Sequence, residues 1–269
     1  MHVRPSNGHL TRLRSARRVW AIGAIHGEAA RLNVLHDRIG ARLIDGDRIV
    51  YLGNYLGHGA TIVATIDELL DFRRRVLARR HAFACDVVHL RGAQEEMWQK
   101  LLQLQFAPNP GAVLDWMVRA GVEATVAGYG GDLRQGFAAT RDGPRTITRW
   151  TGTLRDAMNA LPGHTTLFTG LRHAAFTEPK GLLLVHAAID PARPLAAQGD
   201  AFWWGNNDIL ELTESFEGFN RVIRGYDRGA RGLVETEHAI SIDGGAGRGG
   251  RLLAVCIDVA GPVLDTVSA

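Results

Sequence analysis

The sequence predicts an α/β fold in which βαβ units surround a buried sheet, and three observations lead there. From Arg18 onward, short apolar runs alternate with helical patterns. Glycine-bounded turns follow several of those runs. The length of 269 residues, with 46% apolar and 22% charged residues, is enough to bury a sizeable core without disulfide staples.

The elements follow in order. Arg18–Ile22 reads as a strand, and Gly23 to Gly27 as a tight turn. Ala29, Leu32, Leu35 and Ile39 then recur at helical spacing within residues 28–43. Residues 48–52 read as the second strand, followed by a glycine-rich loop over residues 53–59. A long helix over residues 61–79 buries Leu69, Leu70, Phe72 and Val76, and a third strand spans residues 85–90. Residues 94–161 hold helical patterns with Trp98, Trp116 and Trp150 and no comparable strand, which suggests a helical insertion over the sheet. Strand signals return at residues 181–185, 221–224 and 252–257, the last after a glycine cluster over residues 244–250. No internal repeat or long linker divides the chain, so residues 18–269 are expected to form a single domain behind a basic tail of residues 1–17.

Composition narrows the function. The net charge of +3 is too small to imply nucleic-acid binding, and the scarcity of lysine beside arginine fits a compositional bias better than a phosphate-binding surface. Arg73, Arg74 and Arg75, like Arg79 and Arg80, are expected on a solvated face. No apolar run approaches the roughly 20 residues needed to span a bilayer. The N-terminal arginines have no apolar segment beside them before Val19, so they do not read as a secretory signal. Cys85 and Cys256 each sit in an apolar run that reads as a core strand, which fits a reducing, cytoplasmic compartment.

In such sheets the ligand crevice lies at the carboxyl ends of the strands. Five segments fall there: Gly23-Ala24-Ile25-His26-Gly27, Gly53-Asn54-Tyr55-Leu56-Gly57-His58-Gly59, Arg91-Gly92-Ala93-Gln94-Glu95, His186-Ala187-Ala188 and Gly225-Tyr226-Asp227. In order and spacing they resemble the motifs of the calcineurin-like metallophosphatases, in their protein serine/threonine phosphatase branch. The resemblance implies a sandwich of two β-sheets flanked by helices, with a helical insertion. It also implies a two-metal site, and this chain departs from that site repeatedly.

The family's motifs read Gly-Asp-x-His-Gly, Gly-Asp-x-x-Asp-Arg-Gly and Arg-Gly-Asn-His-Glu, then His-Ala-Gly or His-Gly-Gly, then Gly-His. Of the six metal-ligand positions they supply, His26 and His186 keep their type. Ala24 ends in a methyl group, Asn54 replaces the metal-bridging carboxylate with a neutral amide, and Ala93 and Tyr226 replace the remaining two ligands. The general acid has become Gln94, which does not titrate. The phosphate-gripping arginines align with His58 and Asn206. Two imidazoles fall short of the three or more protein ligands usual in a catalytic metal site.

The resemblance therefore implies an inactive or impaired metallophosphatase, a pseudophosphatase that binds a protein partner or a small ligand in the old crevice. No cofactor, nucleic acid or membrane is expected. Candidate lining residues are His26, Asn54, His58, Gln94, His186, Asn206, Tyr226 and Asp227. The alternative is a divergent phosphoesterase with a single divalent metal (Mn, Fe or Zn) on His26, His186 and Asp227. Asn54, His58, Gln94 and Tyr226 either form a new ligand pocket or fill the vacated space. Glu28 is read as favouring a helix start, Glu95 as structural, and Asp190 and Asp227 as turn residues. The tryptophans, including Trp203 and Trp204, are read as packing.

Overall fold

The computed structural model describes residues 10–269, and the expected tail lies outside them over residues 1–9. The chain opens with β1 (Leu10–Leu13), β2 (Arg18–Ile22), α1 (Ala29–Gly40), β3 (Arg48–Tyr51), α2 (Ile62–Leu77) and β4 (Val87–His89). Helices follow: α3 (Ala93–Leu101), α4 (Pro110–Arg119), α5 (Val122–Gly128), α6 (Leu133–Asp142), α7 (Pro144–Asn159) and α8 (His164–Thr169). The last third holds β5 (Ala174–Thr177), β6 (Leu182–Val185), α9 (Ala201–Trp204), β7 (Arg221–Arg224), β8 (Gly232–Glu235), β9 (Ala239–Asp243), β10 (Leu253–Asp258) and β11 (Val263–Ser268).

Among the described residues the strands form two mixed sheets, ordered β1-β5-β6-β7-β9-β8 and β11-β10-β2-β3-β4. Successive strand side chains point to opposite faces, so each central strand feeds two cores. In β2, Val19 and Ala21 face the other sheet, packing with Val50, Leu184, Ile223 and Ile242. Trp20 and Ile22 face outward and pack with Leu32, Leu35, Ile66 and Leu69 of α1 and α2. The other sheet covers its outer face with Phe202, Trp203 and Phe219. Burial on both faces explains why these strands read as unbroken apolar runs. No helix of the described residues is long and apolar enough to cross a membrane.

Several expectations need correction. Leu10–Leu13 lie within the expected tail but form an edge strand parallel to β5, with Leu13 only 1% exposed. Cys256 is buried in β10, whereas Cys85 is exposed in a 3₁₀ turn rather than a core strand. That turn is closed by Asp86, which accepts from the Phe83 N–H at 2.8 Å and pairs with Arg48 at 3.3 Å. Leu70, expected on the buried side of its helix, is half-buried and packs against the core. The strands β5, β8, β9 and β11 give no clear signal in the sequence. All but one are four or five residues long, and their pairing partners lie elsewhere in the chain or across a turn.

The two sheets approach most tightly at glycines. A β-carbon on Gly23 would lie 2.4 Å from the Ile242 carbonyl oxygen, and one on Gly225 would lie 2.2 Å from the Leu52 β-carbon. The Ala24 N–H donates to the Gly225 carbonyl at 2.9 Å, locking the first and fifth motif loops together. Gly225→Ala is therefore expected to cost about 2 kcal/mol through overpacking, read as a lowered denaturant midpoint with an unchanged slope.

Candidate functional site

Loops at the carboxyl ends of β2, β3, β4, β6 and β7 converge on one edge of the sandwich, and backbone hydrogen bonds stitch them together. The N–H groups of Ile25 and His26 donate to the Asn54 carbonyl at 3.0 and 2.7 Å. Those of Gly225 and Tyr226 donate to the His186 carbonyl at 3.1 and 2.9 Å. The central tie is Glu95, 2% exposed at the start of α3. Its carboxylate accepts from the N–H groups of Asn54 (2.8 Å), Tyr55 (2.8 Å), Leu56 (3.1 Å) and Gly92 (2.9 Å). Burial pushes its pKa up and these donors only partly offset that. The structural role read for Glu95 is thus visible in its contacts.

The loops hold strained backbone. His26 (φ 53°), Asn54 (φ 56°) and His58 (φ 53°) all occupy the left-handed region, at about 1 kcal/mol each. Three such residues in adjoining loops persist only where the surroundings over-determine them.

Below these loops lies a cavity of about 700 Å³. Of the expected residues, His26, Asn54, His58, Gln94, Asn206, Tyr226 and Asp227 line it. His186 does not. It is fully buried, with the Tyr226 ring stacked on it at 5.4 Å between centroids, and the Arg248 guanidinium lies 5.7 Å from the Tyr226 centroid. Glu28 precedes α1 as its N-cap residue, making no side-chain cap hydrogen bond, and Asp190 accepts from the Ala192 N–H in a turn.

The side chains of the motif segments are engaged with the protein itself. Asn54 Oδ1 accepts the Gln94 N–H at 2.9 Å, and Asn54 Nδ2 faces His26 Nε2 at 3.4 Å. Gln94 Nε2 donates to the Ala120 carbonyl at 2.7 Å, in the turn between α4 and α5. The His58 N–H donates to the Gly121 carbonyl at 3.3 Å, and its ring meets the His26 ring edge-on at 4.8 Å. His26 Nδ1 contacts the Leu56 carbonyl at 3.1 Å, and His186 Nδ1 contacts the Leu52 carbonyl at 2.6 Å. Both histidines thus present Nε2 as the unprotonated nitrogen, and that of His186 has no partner.

This donor set does not fit the two metals that the family resemblance implies. Among the described residues, no three His, Cys, Asp or Glu side chains converge as ligands. The Asn54 side-chain oxygen already accepts an N–H, and the Tyr226 ring lies stacked on the face of the His186 imidazole. Asp227, considered as a substitute ligand, is held by Arg231 at 2.6 Å and Arg224 at 3.1 Å. Burial would raise its pKa, but these arginines outweigh that and hold it below the ordinary carboxylate value.

Several lining residues were not singled out by sequence reasoning: Asp208, Arg224, Arg228 and Arg248. Arg224 bonds Asp208 at 3.0 Å, and Arg231 bonds it at 2.7 Å. Arg248 pairs with Asp243 at 3.2 Å. Arg228 directly follows the fifth motif, and Arg248 stands in the glycine cluster after β9, so strand-end position was the available signal. Trp98 and Trp150 are buried, as packing residues should be. Trp116, Trp203 and Trp204 instead line the cavity.

No protein-family model and no curated protein matches the sequence. Solved structures do match. A protein to which diadenosine tetraphosphatase activity has been ascribed aligns at 18% identity and a TM-score of 0.59, covering 97% of this chain and 98% of that one. A cold-active protein-tyrosine phosphatase of a psychrophilic Shewanella species aligns at 12% identity and TM-score 0.55, over 95% and 81%. A protein serine/threonine phosphatase from Saccharomyces cerevisiae aligns at 12% identity and TM-score 0.50, over 91% and 76%. The chain has the calcineurin-like metallophosphoesterase fold.

Two outcomes follow from the site. In Glu95→Gln an amide N–H₂ must face two of the four backbone donors, so a loss of about 3 kcal/mol is expected in denaturant unfolding. The second concerns acid. Burial pushes the pKa values of His26 and His89 down to about 3 and that of His186 to about 4, from an ordinary 6.5. As pH falls below 6.5 the unfolded chain takes up protons that the folded one refuses, so stability present above that pH drains away toward pH 4. The urea midpoint should fall steadily across that window.

Proposed function

We propose that this protein uses the metallophosphoesterase fold to bind a ligand or partner in its crevice without hydrolysing phosphoesters. One observation carries the reading. The side chains at the former ligand and acid positions are engaged with the protein itself: Asn54 with the Gln94 backbone, Gln94 with Ala120, and Tyr226 over His186. Phosphoester hydrolysis in this fold needs an electrophile to stabilise charge on the phosphoryl oxygens and an acid for the leaving group. The crevice supplies neither in the expected places.

The activities ascribed to the structural relatives, on a dinucleoside tetraphosphate and on phosphoproteins, give the hydrolytic alternative its substrates. Nothing in the donor set favours that alternative over binding. The unpaired Cys85 and Cys256 fit a reducing, cytoplasmic location.

Purified protein loaded with manganese or iron is expected to retain under one equivalent of metal and to leave an aryl phosphate intact. Two retained equivalents with turnover would overturn the proposal, and turnover lost in His26→Ala and His186→Ala would establish a residual single-metal enzyme. The variant combining Ala24→Asp, Asn54→Asp, Ala93→Asn, Gln94→His and Tyr226→His should gain metal, read by elemental analysis of folded protein.

A further inference from the structure

The crevice carries a second pattern that owes nothing to the lost ligand positions. Part of its wall is aromatic: Trp116 of α4 and Trp204 of α9, with ring centroids 5.7 Å apart and planes tilted by 60°. Trp116 is 44% exposed and lines the cavity.

The charge around the same cavity is unbalanced. Arg224 and Arg231 share Asp208 and Asp227, and Arg248 pairs with Asp243. Arg228 also lines the cavity and has no carboxylate partner among the described residues. Guanidinium groups on a cavity rim recognise an anion through paired N–H donors, and indoles recognise a planar ring by stacking.

We infer that the crevice takes an organic anion bearing a planar aromatic ring, with the ring against Trp116 and Trp204 and the anionic group at Arg228 and Arg248. A volume of about 700 Å³ suits a ligand of that size. Neither tryptophan and neither arginine belongs to the five motif segments, so the anion grip is built from residues outside the old phosphate site. The inference rests on the reading above that the crevice binds without cleaving, because a retained ligand needs its own anchors.

The test is titration of tryptophan fluorescence with four probes: adenosine monophosphate, 1-naphthoate, adenosine and inorganic phosphate. At least one of the two ring-bearing anions is expected to bind tenfold or more tighter than adenosine or phosphate, and which one does so identifies the preferred anion. Trp116→Ala and Arg228→Gln should each weaken that binding at least fivefold. Both side chains are exposed, so the variants should keep the wild-type circular dichroism. Phosphate or adenosine binding as well as either ring-bearing anion, no binding of any probe, or unchanged affinity in both variants would overturn the inference. Phosphate release from adenosine monophosphate, followed in the same samples, separates the two claims. Release with tight binding sinks the non-hydrolytic reading alone, whereas no release and no binding sinks this inference alone.

Discussion

Glu95 is the constraint on which the site depends. A buried carboxylate with no cation beside it is costly, and it is tolerated here because four backbone N–H groups from two loops point at it. Those donors belong to the turn after β3 and to the N-terminus of α3, so one side chain holds the second and third motif loops in register. The left-handed Asn54 and the buried His26 beside it inherit their positions from that tie. Together with the N–H groups of Ile25 and His26 on the Asn54 carbonyl, it over-determines the strained loops.

Around this anchor the motif side chains form part of the framework. Gln94, at the general-acid position, reaches the turn between α4 and α5, and His58, at an arginine position, packs against the same turn. A β-carbon on Gly121 would lie 2.5 Å from the His58 ring, so that turn needs glycine both for its positive φ and for this contact. Tyr226 fills space over His186 with a ring where the family has an imidazole ligand. Neutral, hydrogen-bonding or aromatic groups thus stand at these positions. The histidines that remain are kept neutral by burial, with His26 and His186 both pushed well below the ordinary imidazole range.

The arginines near the cavity stand on β7, on the loops after β7 and β9, and in the insertion, and most are neutralised by aspartates in a half-buried network. Such a network fixes loop geometry more than it adds stability, since desolvation offsets much of the Coulombic gain. Arg228 lines the cavity outside that network.

From the sequence alone came the alternation of strands and helices, the five motif segments in order, and the departure of Ala24, Asn54, Ala93 and Tyr226 from the residue types of the motifs they resemble. These are matters of residue identity and local periodicity, and no packing can give a methyl group a lone pair. The short strands β5, β8 and β9 were illegible because four or five residues carry too little pattern, and only pairing with a neighbour makes them strands. Leu10–Leu13 looked like a basic tail because its partner, Ala174–Thr177, lies far along the chain. Tertiary structure also decided that His186 lies beneath Tyr226, that Trp116 and Trp204 meet at the cavity, and that Asp227 answers to arginines. Each of these depends on which loops come within a few ångströms of one another, a distance that sequence spacing does not encode.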